Sequence, residues 1–174
     1  MRSLVIVESM FGNTRAIADA VADGLAAAGP VTVLDVADAP PAPDVDVELL
    51  VVGGPTHAFS LSRPNTRQAA EQQGADHRAL GLREWLAALP RCLPGTTAAA
   101  FSTRIQKKFV PGSAARSAAR RLGRLGYRTA APPEDYFVLE TAGPLRAGEI
   151  ERARAWGQRL AAAARDRTPK GEVR

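Results

Sequence analysis

Leu4-Val-Ile-Val7, then Glu8-Ser-Met-Phe-Gly-Asn-Thr14, then Arg15 to Ala28 is the stretch that decides the fold. Four consecutive aliphatic residues suit a strand covered on both faces, as in a parallel sheet between helical layers. Downstream, Ile17, Val21, Leu25 and Ala28 fall on one helical face, and Gly29-Pro30 ends the helix. The strand therefore delivers the loop Ser9–Thr14 to the open N-terminus of a helix. Such an end carries unpaired backbone N–H groups and the positive pole of the helix dipole, which makes it a ready anion site.

Gly12 has no Cβ to hold a ligand off, and Ser9, Asn13 and Thr14 can add side-chain donors. Each N–H bond to a charged acceptor contributes about 1.5–3 kcal/mol, so a few of them could hold a phosphate dianion with no Lys or Arg in the loop. The competing reading is that Asn13 or Thr14 simply caps the helix. The loop is not a Walker loop, lacking Gly-Lys-[Ser/Thr]. It is not the Gly-x-Gly-x-x-Gly fingerprint either, since Gly12 is its only glycine.

Outward from this unit the strand–helix alternation continues. Val31–Val36 reads as a second strand and Glu48-Leu-Leu-Val-Val52 as a third, stopping at Gly53-Gly54. Pro64 opens a short helix that Gly74 closes, and Leu82, Trp85, Leu86 and Leu89 form the buried stripe of another. Thr97-Ala-Ala-Ala-Phe101 is a fourth strand, with Ser102–Lys108 as its exit loop. Ser113 caps a helix running to Gly126. Tyr127–Ala131 and Tyr136–Leu139 read as one fifth strand interrupted at Pro132-Pro133, and Gly148–Arg165 is the last helix. The expectation is an α/β three-layer sandwich, a five-stranded parallel sheet in the order 2-1-3-4-5. Residues 1–165 form a single domain, followed by a polar tail at 166–174.

The first loop resembles that of the flavodoxin family, [Ser/Thr]-x-[Ser/Thr]-Gly-x-Thr, which wraps the phosphate of FMN. Ser9, Gly12, Asn13 and Thr14 match it in place, while Phe11 stands where the family has a second hydroxyl. Gly53-Gly-Pro-Thr-His57 resembles the family's second flavin loop, with Phe59 as the nearest aromatic. The resemblance covers essentially the whole chain. It implies that Ser9, Met10, Phe11, Gly12, Asn13 and Thr14 hold the phosphate, by backbone N–H groups of Met10–Thr14 and the Ser9 and Thr14 hydroxyls. It implies further that Pro55, Thr56, His57, Ala58 and Phe59, with Ser102, Thr103 and Arg104, flank the isoalloxazine.

The resemblance thus implies an FMN-binding redox protein, either an electron carrier or a small FMN-dependent reductase. Its partner would be a redox protein or a small acceptor such as a quinone. The alternative is a flavodoxin-fold binding or regulatory module that no longer holds flavin, favoured by Phe11 and by the lack of Trp or Tyr in the ring-flanking loops. No residue stands out as a catalytic acid or base, and two histidines and one cysteine make no convincing metal set.

The chain has 174 residues, a net charge of +5 and only three lysines among its 23 basic residues. Arg63, Arg67, Arg104, Lys107 and Lys108 are expected near the loops, where positive charge would stabilise reduced, anionic flavin and raise its potential. Arg116, Arg120 and Arg124 share a helical face, an arrangement that normally means a solvated surface. Nucleic acid is a weak expectation, because no base-stacking motif accompanies the charge. No apolar run reaches the roughly 18–20 residues of a membrane span. The single Cys92 fits a reducing compartment, and the expected location is cytoplasmic.

Overall fold

The computed structural model describes residues 1–76, 79–92, 94–106 and 111–165. Lys107, Lys108 and the 166–174 tail, all named above, lie outside them, as do His77 and Phe109. The strands are β1 (Ser3–Val7), β2 (Val31–Asp35), β3 (Leu49–Pro55), β4 (Thr97–Ile105), β5 (Arg128–Thr129) and β6 (Glu134–Val138). The helices are α1 (Asn13–Leu25), α2 (Pro64–Glu71), α3 (Leu82–Ala88), α4 (Ala114–Arg124) and α5 (Glu149–Arg165).

All named strands run parallel, in the order β2-β1-β3-β4-β5, with β6 also on β4. The fifth position is thus shared by two short strands. β5 pairs with Thr97 and Ala98, and β6 pairs with Phe101–Ile105. Pro132 and Pro133 fall between them, where a missing N–H would break a continuous ladder. This is the flavodoxin-like order expected from the sequence.

The aliphatic runs explain the core. Leu4, Ile6, Leu50 and Val52 face the layer containing α3 and α4, where they meet Leu82, Leu86, Ala118 and Leu122. Val5, Val7, Leu49 and Val51 face α1 and α5, against Ile17, Val21, Trp156 and Leu160. Period-two alternation along strands buried on both sides produces these two half-cores. Trp85 is core, as its spacing predicts, and its indole N–H donates to the Pro40 carbonyl at 2.8 Å.

One boundary differs in a way that matters for the site. β4 extends to Ile105, so Ser102, Thr103 and Arg104 are strand residues and not an exit loop. Their polarity reads as loop in the sequence, yet each finds a partner within the fold. Among the described residues, no helix is long and apolar enough to cross a membrane.

Candidate functional site

The C-terminal ends of β1, β3, β4 and β6 meet at one edge of the sheet, the place where open parallel sheets collect ligands. A pocket of about 210 Å³ opens there. Met10, Phe11, Asn13 and Thr14 line it from the first loop, and Pro55, Thr56, His57 and Ala58 from the β3 exit. Thr103, Arg104 and Ile105 come from β4, and Val138 and Thr141 from the β6 exit. Most of the residues expected at the site are therefore gathered around one cavity. The β6 contribution was not expected. Its sequence carries no motif, although in a parallel sheet the last strand must deliver its exit to the same edge.

The first loop presents a run of backbone N–H donors. β1 pairing ends with the Glu8 N–H on the Gly53 carbonyl at 2.9 Å, and regular helix bonding starts with the Ala16 N–H on the Gly12 carbonyl at 3.0 Å. Between them, the N–H groups of Met10, Phe11, Gly12, Asn13 and Thr14 meet no acceptor among the described residues. Gly12 is the N-cap, at φ +82, and neither Asn13 nor Thr14 caps the helix. A Cβ built on Gly12 would meet nothing within 4 Å apart from its own chain neighbours. Phe11 forms part of the pocket wall.

The hydroxyls and amides expected to reach a ligand are partly committed elsewhere. Ser9 is buried and its Oγ accepts from the Arg15 N–H at 3.2 Å, outside the pocket lining. Thr14 and Thr103 share a hydrogen bond between hydroxyls at 2.7 Å, which ties α1 to β4. Asn13 donates from Nδ2 to the Ala142 carbonyl at 2.9 Å and so anchors the β6 exit.

Ser102 corrects its expectation: it is fully buried and does not line the pocket. Its Oγ donates to Asp135 at 2.6 Å and accepts from the Thr56 hydroxyl at 3.2 Å. Thr56 Oγ1 in turn accepts from the Ala114 N–H at 3.1 Å, which fixes the β3 exit against the start of α4.

Phe59 also departs from its expected place. His57 and Ser60 close a tight turn, bonded in both directions at 2.9 and 3.1 Å. Ala58 and Phe59 at its centre have φ of +45 and +67. The turn throws the Phe59 ring outward, 58% exposed and outside the lining. His57 lines the pocket and is held neutral at pH 7. Burial lowers its pKa, and the Arg67 cation lowers it further.

Two of the charges expected around the loops are compensated. Arg67 is buried and pairs with Glu84 at 3.1 Å, and Arg104 pairs with Asp135 at 3.5 Å. Among the described residues, no group of His, Cys, Asp or Glu could hold a metal ion.

Below the pocket lies Glu8, a residue that sequence reasoning passed over. It is fully buried and accepts from the Ser62 hydroxyl at 2.5 Å and the Leu82 N–H at 2.8 Å. Arg67 donates to the same Ser62 hydroxyl at 3.0 Å. A carboxyl directly after a buried aliphatic run was the available signal.

No family model matches the chain, and no curated protein matches it. Solved structures do. A flavodoxin from the domain Archaea superposes with a TM-score of 0.67 at 20% identity, over 95% of this chain and 99% of that one. The fold is flavodoxin-like. Flavodoxin 2 from Bacillus cereus gives 0.65 at 16% identity, over 93% of this chain and 99% of its own. A WrbA-like flavodoxin from Agrobacterium tumefaciens gives 0.58 at 18% identity, over 95% and 98%. Likeness at these identities concerns the flavodoxin-like architecture alone; what the pocket holds must be argued from its own residues.

Proposed function

We propose that this flavodoxin-like chain binds FMN non-covalently and acts as a cytoplasmic redox protein, either as an electron carrier or as a small reductase of quinone-like acceptors. The observation that carries the reading is the row of N–H groups from Met10 to Thr14 that meet no acceptor among the described residues. A phosphate dianion would complete those donors at the positive end of α1. When bound, FMN supplies the one- and two-electron chemistry.

The chain's own residues bind and orient. The N–H groups of Met10–Thr14 would hold the phosphate. Pro55, Thr56, His57 and Ala58 would border the ring on one side, and Thr103 and Arg104 on the other. Neutral His57 can donate one hydrogen bond there and adds no charge. Pairing of Arg104 with Asp135 limits how far that cation favours the reduced, anionic ring. The cavity falls below the roughly 300–1,000 Å³ typical of small-molecule sites, so part of a flavin-sized ligand would lie outside it, within reach of a partner.

The test is to add FMN to the apo-protein and follow quenching of flavin fluorescence, beside a Gly12→Val variant. Saturable quenching that Gly12→Val abolishes is the expected result. No quenching by the wild type would favour the second reading, a flavodoxin-fold module without flavin. That reading is supported by the lack of any Trp or Tyr in the pocket lining.

A further inference from the structure

Charge is segregated along this chain. From Trp85 to Pro133 there is no Asp or Glu, while nine of the 23 basic residues fall there. That stretch carries +9, and the remainder carries −4. It contains β4, α4 and β5, and α4 alone carries four of the nine, Arg116, Arg120, Arg121 and Arg124.

The outward face of α4 displays Arg116, Arg120 and Arg124, all exposed, above a buried face of Ala114, Ala115, Ala118 and Leu122. Among the described residues none of the three meets a carboxylate; Arg120 donates only to the Ser117 hydroxyl, at 3.4 Å. Arg121 caps the Leu86 and Ala87 carbonyls at 3.1 Å.

A chain of contacts leads from this row to the pocket mouth. Ser117 Oγ accepts from the Ser60 hydroxyl at 3.0 Å, and Ser60 closes the turn that projects Phe59. Phe59 follows Ala58 of the pocket wall. Two consecutive non-glycine residues at positive φ are unfavourable by about 1–2 kcal/mol each, and such strain collects at functional surfaces. Two exposed acids belong to segments that also reach the pocket: Asp76, whose N–H donates to the Met10 carbonyl at 3.3 Å, and Glu140, next to Thr141 of the pocket wall.

We propose that Phe59 and the Arg116–Arg120–Arg124 row form a docking surface for an acidic redox protein, with Phe59 the apolar anchor beside the pocket. The inference rests on the redox reading for the partner's nature, and on charge complementarity for its sign. Arginine and aromatic residues together are the usual anchors of protein interfaces, and a one-signed patch steers association. Base readout or strand stacking would call for several aromatics along the cationic face, and among the described residues Phe59 stands alone beside this one.

The experiment has two arms that use the full chain. In the first, which needs no flavin, binding of a fluorescently labelled acidic plant-type [2Fe–2S] ferredoxin is followed by anisotropy. The affinity is expected to fall by about tenfold or more between about 50 and 500 mM salt. Arg116→Glu/Arg120→Glu should weaken it about tenfold at low salt, and Phe59→Ser several-fold at either salt. Circular dichroism confirms that these surface variants fold.

In the second arm, reduced ferredoxin is mixed with FMN-loaded protein in a stopped-flow instrument, where the same variants should slow flavin reduction. Binding that persists without any flavin uptake would leave the docking surface standing and remove the redox reading. Flavin uptake with no ferredoxin binding would overturn the docking surface. So would ferredoxin binding indifferent to the arginine reversal, or tighter binding of labelled single-stranded RNA that depends on the same arginines.

Discussion

A carboxyl group with no solvent contact, Glu8, immediately precedes the first loop. Burial pushes the Glu8 pKa up, although the bonds from Ser62 and Leu82 and the Arg67 charge pull the other way. For an acid whose folded pKa is raised, the stability it supplies is present below its unfolded value of 4.5. It is lost as pH rises through the folded value. Glu8→Ala would strand the Ser62 hydroxyl and the Leu82 N–H, a loss of about 3 kcal/mol in urea unfolding. Glu8→Gln keeps an acceptor in place and should lie within about 1 kcal/mol of wild type at pH 7, with a flatter profile above pH 4.5.

His57 acts in the opposite sense. Its pKa is lowered, so protons bind the unfolded chain more readily, and stability falls as pH drops below 6.5 toward the folded value. Urea unfolding of His57→Gln across that window should show a shallower decline than wild type. An unchanged decline would mean that His57 is more hydrated than its place in the pocket wall implies.

At the scale of elements, the closest packing is between α1 and α5. A Cβ on Gly24 would collide with the Arg154 carbonyl, and one on Gly157 with the Val21 carbonyl. The two helices approach backbone to backbone, which only glycine permits at those positions. Gly24→Ala and Gly157→Ala should each destabilise by about 1–3 kcal/mol, lowering Tm by several degrees. Thermal melts equal to wild type would contradict the close approach. None of this was legible in the sequence, where both glycines read as weak points inside amphipathic helices. Local pattern shows which face of a helix is apolar, not how near its neighbour comes.

β4 shows the same limit. Thr97–Phe101 is plainly strand by composition, but Ser102-Thr103-Arg104 reads as loop. Those three are strand because Asp135, Thr14, Thr56 and the Gly112 carbonyl await their polar groups. Asp135, Thr14 and Thr56 lie tens of residues away in sequence. Where propensity and apolar periodicity decided the structure, as in β1, α1 and β3, the reading and the fold agree to within a few residues. The first-loop cradle was legible for a further reason: a strand-to-helix turn with glycine fixes its own N–H groups, whatever packs around them.

For the whole molecule, sheet order and charge distribution set what the site can do. The parallel order puts every strand exit at one edge, so a pocket there is a consequence of topology, and its chemistry comes from the loops. The central claim is narrower: the turn at Met10–Thr14 grips a phosphate dianion. The most direct measurement compares FMN with riboflavin, which shares the ring and ribityl chain but lacks the phosphate, by fluorescence titration of the apo-protein. Loss of the charge-assisted bonds should weaken riboflavin by about a hundredfold or more relative to FMN. Equal affinities for the two would contradict the account.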